Sequence, residues 1–488
     1  MISTVLKQCF LLLLVFSCFT TSKGNEPERG EQRPNIIVIL ADDLGYNDVG
    51  FNGSKEVNTP QIDALANNGI IFSNGYVTHS YCGPSRAGLL TGRYQARFGM
   101  ENNCEHAPSD PYHGLPLTEK LFSKRLQEVG YRTAIIGKWH NGSAAHFQPL
   151  QRGFDYFYGF LGGGHNYFPK DVDLRGNPYK IPIQENHGLG EFNEYLTTAL
   201  SKHAVQFIKR NKDNPFMLYM AYNAPHAPLE APQELINKYN HIEDKERRIY
   251  LAMVEAMDQG IGSIIDALKE TDTFENTLIF FLSDNGGVYP EEWCKSFDWA
   301  DNYPFRRGKV ALTEGGIHVP FIAHWPAKIT EPRKFEGLVS SLDIAATSVA
   351  IGGATDPDNL LEGINLLPYF TGEEKGSPHK ALYWRLEEAD NLWAIRTERY
   401  KYLHQPLPNV GLSFFNMIED PYEENNIEGK HEKEQAELAE LWNEWNEKNI
   451  NNILFQTYPY NQEMKKVYNK LYQDRLKQSA AREVYIVK

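Results

Sequence analysis

Cys82-Gly83-Pro84-Ser85-Arg86-Ala87-Gly88-Leu89-Leu90-Thr91-Gly92-Arg93 sets a potential nucleophile just ahead of a helix. Pro84 suits the first helical position because it lacks an amide that would go unpaired there, and Gly83 would then be the cap. Free amides and the helix dipole favour anions and a thiolate at such an end. Arg86 and Arg93 add positive charge. A bare Cys-x-Pro also fits an ordinary turn, so the surrounding pattern has to decide what this segment is for.

That pattern is α/β. After a polar linker over 25–33, Asn35 to Leu40 is a continuous apolar, β-branched run of the kind that forms a strand buried on both faces. Helical and strand signals then alternate. Helices are expected over 59–68, 118–129 and 246–269, and strands over 133–136, 215–222 and 277–282. Such alternation predicts a mostly parallel sheet with ligands at the carboxyl ends of its strands. Gly372 to Pro378 has linker composition. Beyond it, short antiparallel strands are expected over 381–384, 392–396 and 401–404. An amphipathic helix is expected over 432–448, with Leu438, Leu441, Trp442 and Trp445 on its apolar side.

Two strand ends carry adjacent oxygen donors. Asp42 and Asp43 follow the first strand, and such neighbours repel unless a proton or cation relieves them. Asp284-Asn285-Gly286-Gly287 follow the strand 277–282. Converging hard oxygens suit Ca²⁺ or Mg²⁺ better than zinc. Either pair alone could be a turn or a cap.

The chain has 488 residues and a formal charge of -14, which excludes nucleic acid as a general partner and requires local positive charge for any anionic substrate. Lys7 and the apolar run 9–19 ahead of small, polar residues are expected to form a signal peptide over 1–24. The expected location is the bacterial periplasm, with secretion or a lipid anchor at Cys18 as alternatives. Sequons occur at Asn52 and Asn141. The latter touches a candidate site residue, where a glycan would obstruct chemistry. Cys104 and Cys294 are expected as two thiols rather than a disulfide.

The twelve-residue run, with every fixed position filled, resembles the signature of the formylglycine-dependent (Cys-type) sulfatases, Cys-x-Pro-Ser-Arg followed by Leu-Thr-Gly-Arg. Bacterial polysaccharide sulfatases are the branch it suggests. The resemblance implies an alkaline-phosphatase-like α/β domain over 33–375 and a smaller sheet-and-helix domain over 376–488. It implies oxidation of Cys82 to an aldehyde by a formylglycine-generating maturation enzyme. One oxygen of the hydrated aldehyde attacks sulfur, and the second drives release of sulfate.

Other residues acquire roles from the same resemblance. Asp42, Asp43, Asp284 and Asn285, with the oxygen at position 82, would bind divalent metal, usually calcium with magnesium as the alternative. Gly137-Lys138-Trp139-His140 would supply a sulfate-binding lysine and a histidine that helps deprotonate the diol; Asn141-Gly142 stands where the family often has Leu-Gly. His226, between two prolines in Asn223-Ala224-Pro225-His226-Ala227-Pro228, would be the general acid. Lys309 would be the second sulfate-binding lysine, and Arg86 completes the local cationic site. Arg306, Arg307 and His165 are expected to contact substrate. Trp293, Trp299 and Tyr303 could stack on sugar rings, although packing explains them as well. The implied function is a sulfuric ester hydrolase acting on a sulfated oligosaccharide or polysaccharide, algal by analogy. A phosphodiesterase or phosphonate monoester hydrolase with the same nucleophile, and a non-catalytic sulfated-glycan-binding protein, are the alternatives.

Overall fold

The computed structural model describes residues 33–169, 181–290, 298–387, 392–405 and 411–454. The signal-peptide reading, Cys18, Trp293 and Cys294 lie outside these residues. The first strand, β1 (Asn35–Ala41), is buried at every position. Alternate side chains supply two cores. Ile37, Ile39 and Ala41 pack with the helices Leu196–Asn211 and Lys245–Glu270, whereas Ile36, Val38 and Leu40 pack with Cys82–Thr91, Phe122–Glu128 and Leu342–Ile351. A strand sandwiched in this way needs apolar residues on both faces, which is why it reads as an unbroken run. Truncating Leu40 to Ala would cost about 2–5 kcal/mol.

The remaining strands of the large sheet are β2 (Ile70–Tyr76), β3 (Arg132–Lys138), β4 (Tyr156–Phe160), β5 (Gln184–Glu185), β6 (Gly188–Leu189), β7 (Phe216–Ala221), β8 (Thr277–Ser283), β9 (Phe321–His324) and β10 (Arg333–Ser340). Their order is β10-β2-β9-β8-β1-β7-β3-β4-β5-β6. β1 pairs in parallel with β7 and β8, β3 with β7 and β4, and β10 with β2. β9 runs antiparallel between β8 and β2, and β5 and β6 form an antiparallel edge. The expected mostly parallel α/β architecture is therefore present. The helix expected over 118–129 is shorter, Phe122–Glu128, because Leu121 is extended at φ -74 and ψ 152.

A second sheet follows the Gly372–Pro378 segment. Its strands β11 (Ala381–Leu386), β12 (Leu392–Thr397), β13 (Tyr400–Gln405) and β14 (Gly411–Asn416) are antiparallel in chain order. The helix Glu432–Asn446 buries Leu438, Trp442 and Trp445 against it, while Leu441 is 37% exposed and lies off the apolar face assigned to it. Trp445 stacks on Tyr383, so these tryptophans pack rather than bind. The described residues from Arg33 to Leu454 form one compact unit, and the small sheet is part of it.

Candidate active site

Consecutive central strands release the expected residues at one edge. β1 leads into Asp42 and Asp43, β3 into Lys138 and His140, β7 into His226, and β8 into Asp284 and Asn285. Parallel strands end together, so residues far apart in sequence are delivered to one place. The helix that brings Cys82 starts earlier than its proline suggested. Tyr81 is the N-cap and Cys82 is itself the first helical residue. Gly83 is therefore inside the first turn, where its amide donates to Asn103 Oδ1 at 2.8 Å. Pro84 at the third position still costs no bond, because amides of the first turn have no intrahelical partner.

The nucleophile position is buried. Cys82 Sγ marks where an oxygen would stand after oxidation, and it lies 3.9 Å from Asp43 Oδ1. Burial pushes the thiol up to about 12, with Lys138 and Lys309 opposing. The helix terminus thus does not make Cys82 a ready thiolate, contrary to the expectation from its position. Arg93 is also elsewhere, paired with Glu119 at 2.6 Å.

Around Cys82 the charges interlock. Lys138 Nζ lies 2.7 Å from Asp42 Oδ2, Arg86 Nη2 lies 2.7 Å from Asp284 Oδ2, and Lys309 Nζ lies 2.7 Å from Asp43 Oδ1. Asn285 donates through Nδ2 to Asp43 Oδ1 at 2.8 Å. Burial alone would raise the Asp43 carboxyl, but the ammonium of Lys309, helped by that of Lys138, reverses that and holds it well below the usual range. The Asp284 carboxyl moves the other way. Burial and the neighbouring Asp42 charge push it up to about 6 against the pull of Arg86.

The two histidines are neutral in this setting. His226 holds Ala227 O through Nδ1 at 2.6 Å and turns Nε2 toward Asp43 Oδ2 at 3.6 Å. Burial lowers it to about 3, although Asp43 works in the opposite direction. His140 is lowered well below its ordinary value by burial and then by the charges of Lys138, Arg86 and Lys309. Among the described residues its Nδ1 has no hydrogen-bond partner. A buried neutral imidazole with a bare nitrogen is equipped to take a proton. Space for its ring comes from the Gly162-Gly163-Gly164 loop: a Cβ at Gly163 would sit 2.8 Å from His140 Nε2.

A hard cation fits this donor set. Asp42, Asp43, Cys82 and His226 each place one ligand atom within 4.8 Å of the others. Asp42 Oδ1 and Asn285 Oδ1 are buried without a hydrogen-bond partner among the described residues. Orphaned oxygens in a buried, carboxylate-rich cradle call for a ligand that is all charge and no hydrogen-bond geometry.

The substrate-contact expectations divide. Trp299 is 6% exposed, belongs to a hydrophobic core and uses its carbonyl on Arg247, so it offers no face to a sugar. Tyr303, by contrast, is 71% exposed. His165 is buried with Nδ1 on Asn166 O and Nε2 on Ile181 O, both at 2.7 Å, which leaves neither nitrogen for a sulfate oxygen in this state. Arg306 reaches Glu423 O at 2.6 Å, and Arg307 is partly exposed with a positive φ of 59. Asn141 is fully buried, so its sequon is not a glycan site in the folded protein. Cys104 is a buried free thiol. No motif signalled Asn103 or the contacts of Glu314, Lys401 and Glu423 described below.

The Sulfatase family model matches residues 34–354, and the model "N-sulphoglucosamine sulphohydrolase, C-terminal" matches 307–452. The chain is 33% identical over 432 residues to "Uncharacterized sulfatase YdeN" of Escherichia coli (strain K12), covering 76% of this chain and 71% of that protein. It is 36% identical over 358 residues to N-acetylgalactosamine-6-sulfatase of Homo sapiens, covering 69% and 66% respectively. Among solved structures, Ps i-CgsB superposes with a TM-score of 0.81 at 37% identity, covering 91% of this chain and 99% of that one. It has also been crystallised in complex with k-i-k-neocarrahexaose. With the family model spanning most of the chain and its signature residues gathered at one sheet edge, the protein belongs to the sulfatase family and is a sulfatase enzyme.

Proposed function

We propose that the protein removes sulfate from a sulfated oligosaccharide, of the carrageenan class held by its structural neighbour, using formylglycine at position 82 and calcium. The observation that carries this reading is the convergence of Lys309 and His226, from separate elements, on Asp43, which itself faces residue 82. Converted and hydrated, residue 82 supplies an oxygen nucleophile and a second hydroxyl for expelling sulfate. Asp42, Asp43, Asp284 and Asn285 would hold the cation, which supplies positive charge beside the nucleophile and the sulfate oxygens.

The chain's own groups account for the rest. Asp42, Asp43 and Asp284 balance Lys138, Lys309 and Arg86 charge for charge. A divalent cation added to that balance leaves a net positive pocket, which attracts an anionic ester to an otherwise acidic protein. Lys138 and Lys309 then exchange carboxylate oxygens for sulfate oxygens. His140, neutral and open at Nδ1, takes the proton released at position 82. His226 needs the field of the bound anion to become protonated, and then gives its proton to the leaving sugar oxygen. Tyr303 and Arg307, partly or largely exposed, suit contacts to the rest of the sugar.

The test is a set of defined sulfated oligosaccharides, carrageenan fragments included, with each desulfated position read by NMR. Release of sulfate from one ring position is expected. Faster cleavage of an aryl phosphodiester than of every sulfate ester would overturn the reading.

A further inference from the structure

A second group of buried charges lies where the small sheet meets the loop carrying Lys309. Lys401 on β13 is 0% exposed and places Nζ 2.8 Å from Glu314 Oε1 and 2.7 Å from Glu423 Oε1. Glu314 in turn donates its amide to Glu423 Oε2 at 2.9 Å, while its Oε2 accepts from Tyr76 at 2.7 Å. At the other end of the loop Arg306 donates to Glu423 O at 2.6 Å, and between them Leu312 donates to Gln405 Oε1 at 2.7 Å. The segment from Arg306 to Glu314 is therefore clamped to the small sheet and its following loop at both ends and in the middle.

Its opposite side is fastened to the metal-ligand loop and the nucleophile loop. Lys309 donates its amide to Gly287 O at 2.8 Å, Gly286 to Gly316 O at 3.0 Å, and Val310 to Ser80 O at 3.1 Å. The backbones meet so closely that a Cβ on Gly286 would lie 1.8 Å from Gly315 O.

Between these fastenings the loop is strained. Arg307 and Val310 adopt positive φ values of 59 and 76, on either side of Lys309. For a β-branched residue such as Val310 this is a genuine outlier, and it persists only where the surroundings over-determine it. Left to itself, the segment would relax and carry the Lys309 ammonium away from the position it shares with Asp43. We propose that Lys401 and Glu423 are positioning residues, which act through Glu314 and Arg306 to hold the strained loop so that Lys309 can grip sulfate. This rests on the reading of Lys309 as a sulfate-binding lysine.

The probe is inorganic sulfate, titrated calorimetrically into the full-length calcium-loaded protein, with melting temperatures recorded alongside. Lys401→Met is expected to weaken sulfate by about tenfold, as coupled neighbours do. In a Lys309→Ala background the same change should cost less than about twofold, because the group being positioned is gone. A general loss of structure would lower the melting point equally in both backgrounds and would weaken sulfate equally in both. Equal weakening in the two backgrounds, or unchanged binding in Lys401→Met, overturns the proposal. If Lys401→Met does not fold, the near-isosteric Glu423→Gln runs the same cycle and must show the same non-additivity. Should the unaltered protein neither bind sulfate nor cleave an aryl sulfate, the sulfatase reading of Lys309 falls and takes the proposal with it. Binding by the unaltered protein with an additive cycle removes the positioning role alone.

Discussion

Two buried charge clusters share the Arg306–Gly316 segment, and they are finished to different degrees. Glu314, at the small sheet, uses both oxygens: Oε1 on Lys401, and Oε2 on Tyr76 and His318. At the sheet edge, Asp42 Oδ1, Asn285 Oδ1 and His140 Nδ1 are buried without a hydrogen-bond partner among the described residues, Asp42 Oδ1 keeping only a 3.7 Å ion pair with Arg86. Buried polar atoms are mostly satisfied in folded proteins, so orphaned oxygens beside three buried carboxylates mark a place where a cation can bind. Titration separates the clusters too. Asp284 is pushed up to about 6 by burial and Asp42, whereas Glu314 is held well below the carboxylate range because Lys401 and His318 overcome its burial. Glu314 is satisfied by the fold itself, whereas Asp42 and Asn285 keep buried oxygens open to a ligand.

The strongest way to break this contrast is at residue 82. Cys82→Ala should lower turnover by on the order of 10⁴-fold or more, since a covalent catalyst without its nucleophile keeps only binding and field effects. Its melting temperature should stay close to that of the unaltered protein, because the side chain removed is small. Substantial turnover in that variant would show that the sheet edge is finished without residue 82. Peptide mass spectrometry of the same residue reports whether the thiol has become an aldehyde.

Next comes the cation. Chelation or Asp284→Ala should cost about 10³-fold in kcat and remove bound metal, measured together by kinetics and elemental analysis. Its pH dependence has a definite sign. Asp284 is raised from 3.8 to about 6, so without metal its contribution to stability is fully present below the unfolded value and lost as pH rises through the folded one. Calcium needs the carboxylate, so the calcium-induced rise in melting temperature should be larger at pH 8 than at pH 5. An equal rise at both would place the ion away from Asp284.

The two clusters were unequally legible in the sequence. Asp42, Asp43, Asp284 and Asn285 could be read because each pair directly follows a buried strand, and parallel strands must end together. Lys401 carries no such signal: it stands 87 residues from Glu314, and only the folded small sheet brings them into contact. The helix start was misjudged by two residues because Pro84 is tolerated anywhere in a first turn. Trp299 read as a possible sugar platform because loop aromatics can stack or pack, and burial decides between the two. His165 was found by its glycine-rich neighbours, yet the glycine does its work for His140.

A smaller loss is expected at His226, which neither pairs fully with Asp43 nor stands free. His226→Ala should reduce kcat/KM by about 10²-fold on sugar sulfates with poor leaving groups, and much less on activated aryl sulfates, which depart without a proton. Equal losses on both substrates would assign His226 to holding Asp43 rather than to proton donation. That would sharpen the contrast by moving one more residue into the finished part of the site.

The smallest effect on turnover should come from the finished cluster itself. Glu314→Gln keeps the shape and the contact with Lys401 but discards the charge, so activity should fall by only about tenfold, through Lys309. Stability should respond more visibly, and in the opposite sense to Asp284. A carboxyl held below its unfolded value of 4.5 contributes stability that is present above that value and lost as pH falls through the folded value. The melting temperatures of Glu314→Gln and the unaltered protein should therefore differ by several degrees at pH 7, and the difference should shrink steadily as pH falls below 4.5. Calcium should shift both proteins alike at pH 7, because Glu314 serves the loop and not the ion. A calcium response that disappears with Glu314 would mean that the two clusters are one, joined through Lys309.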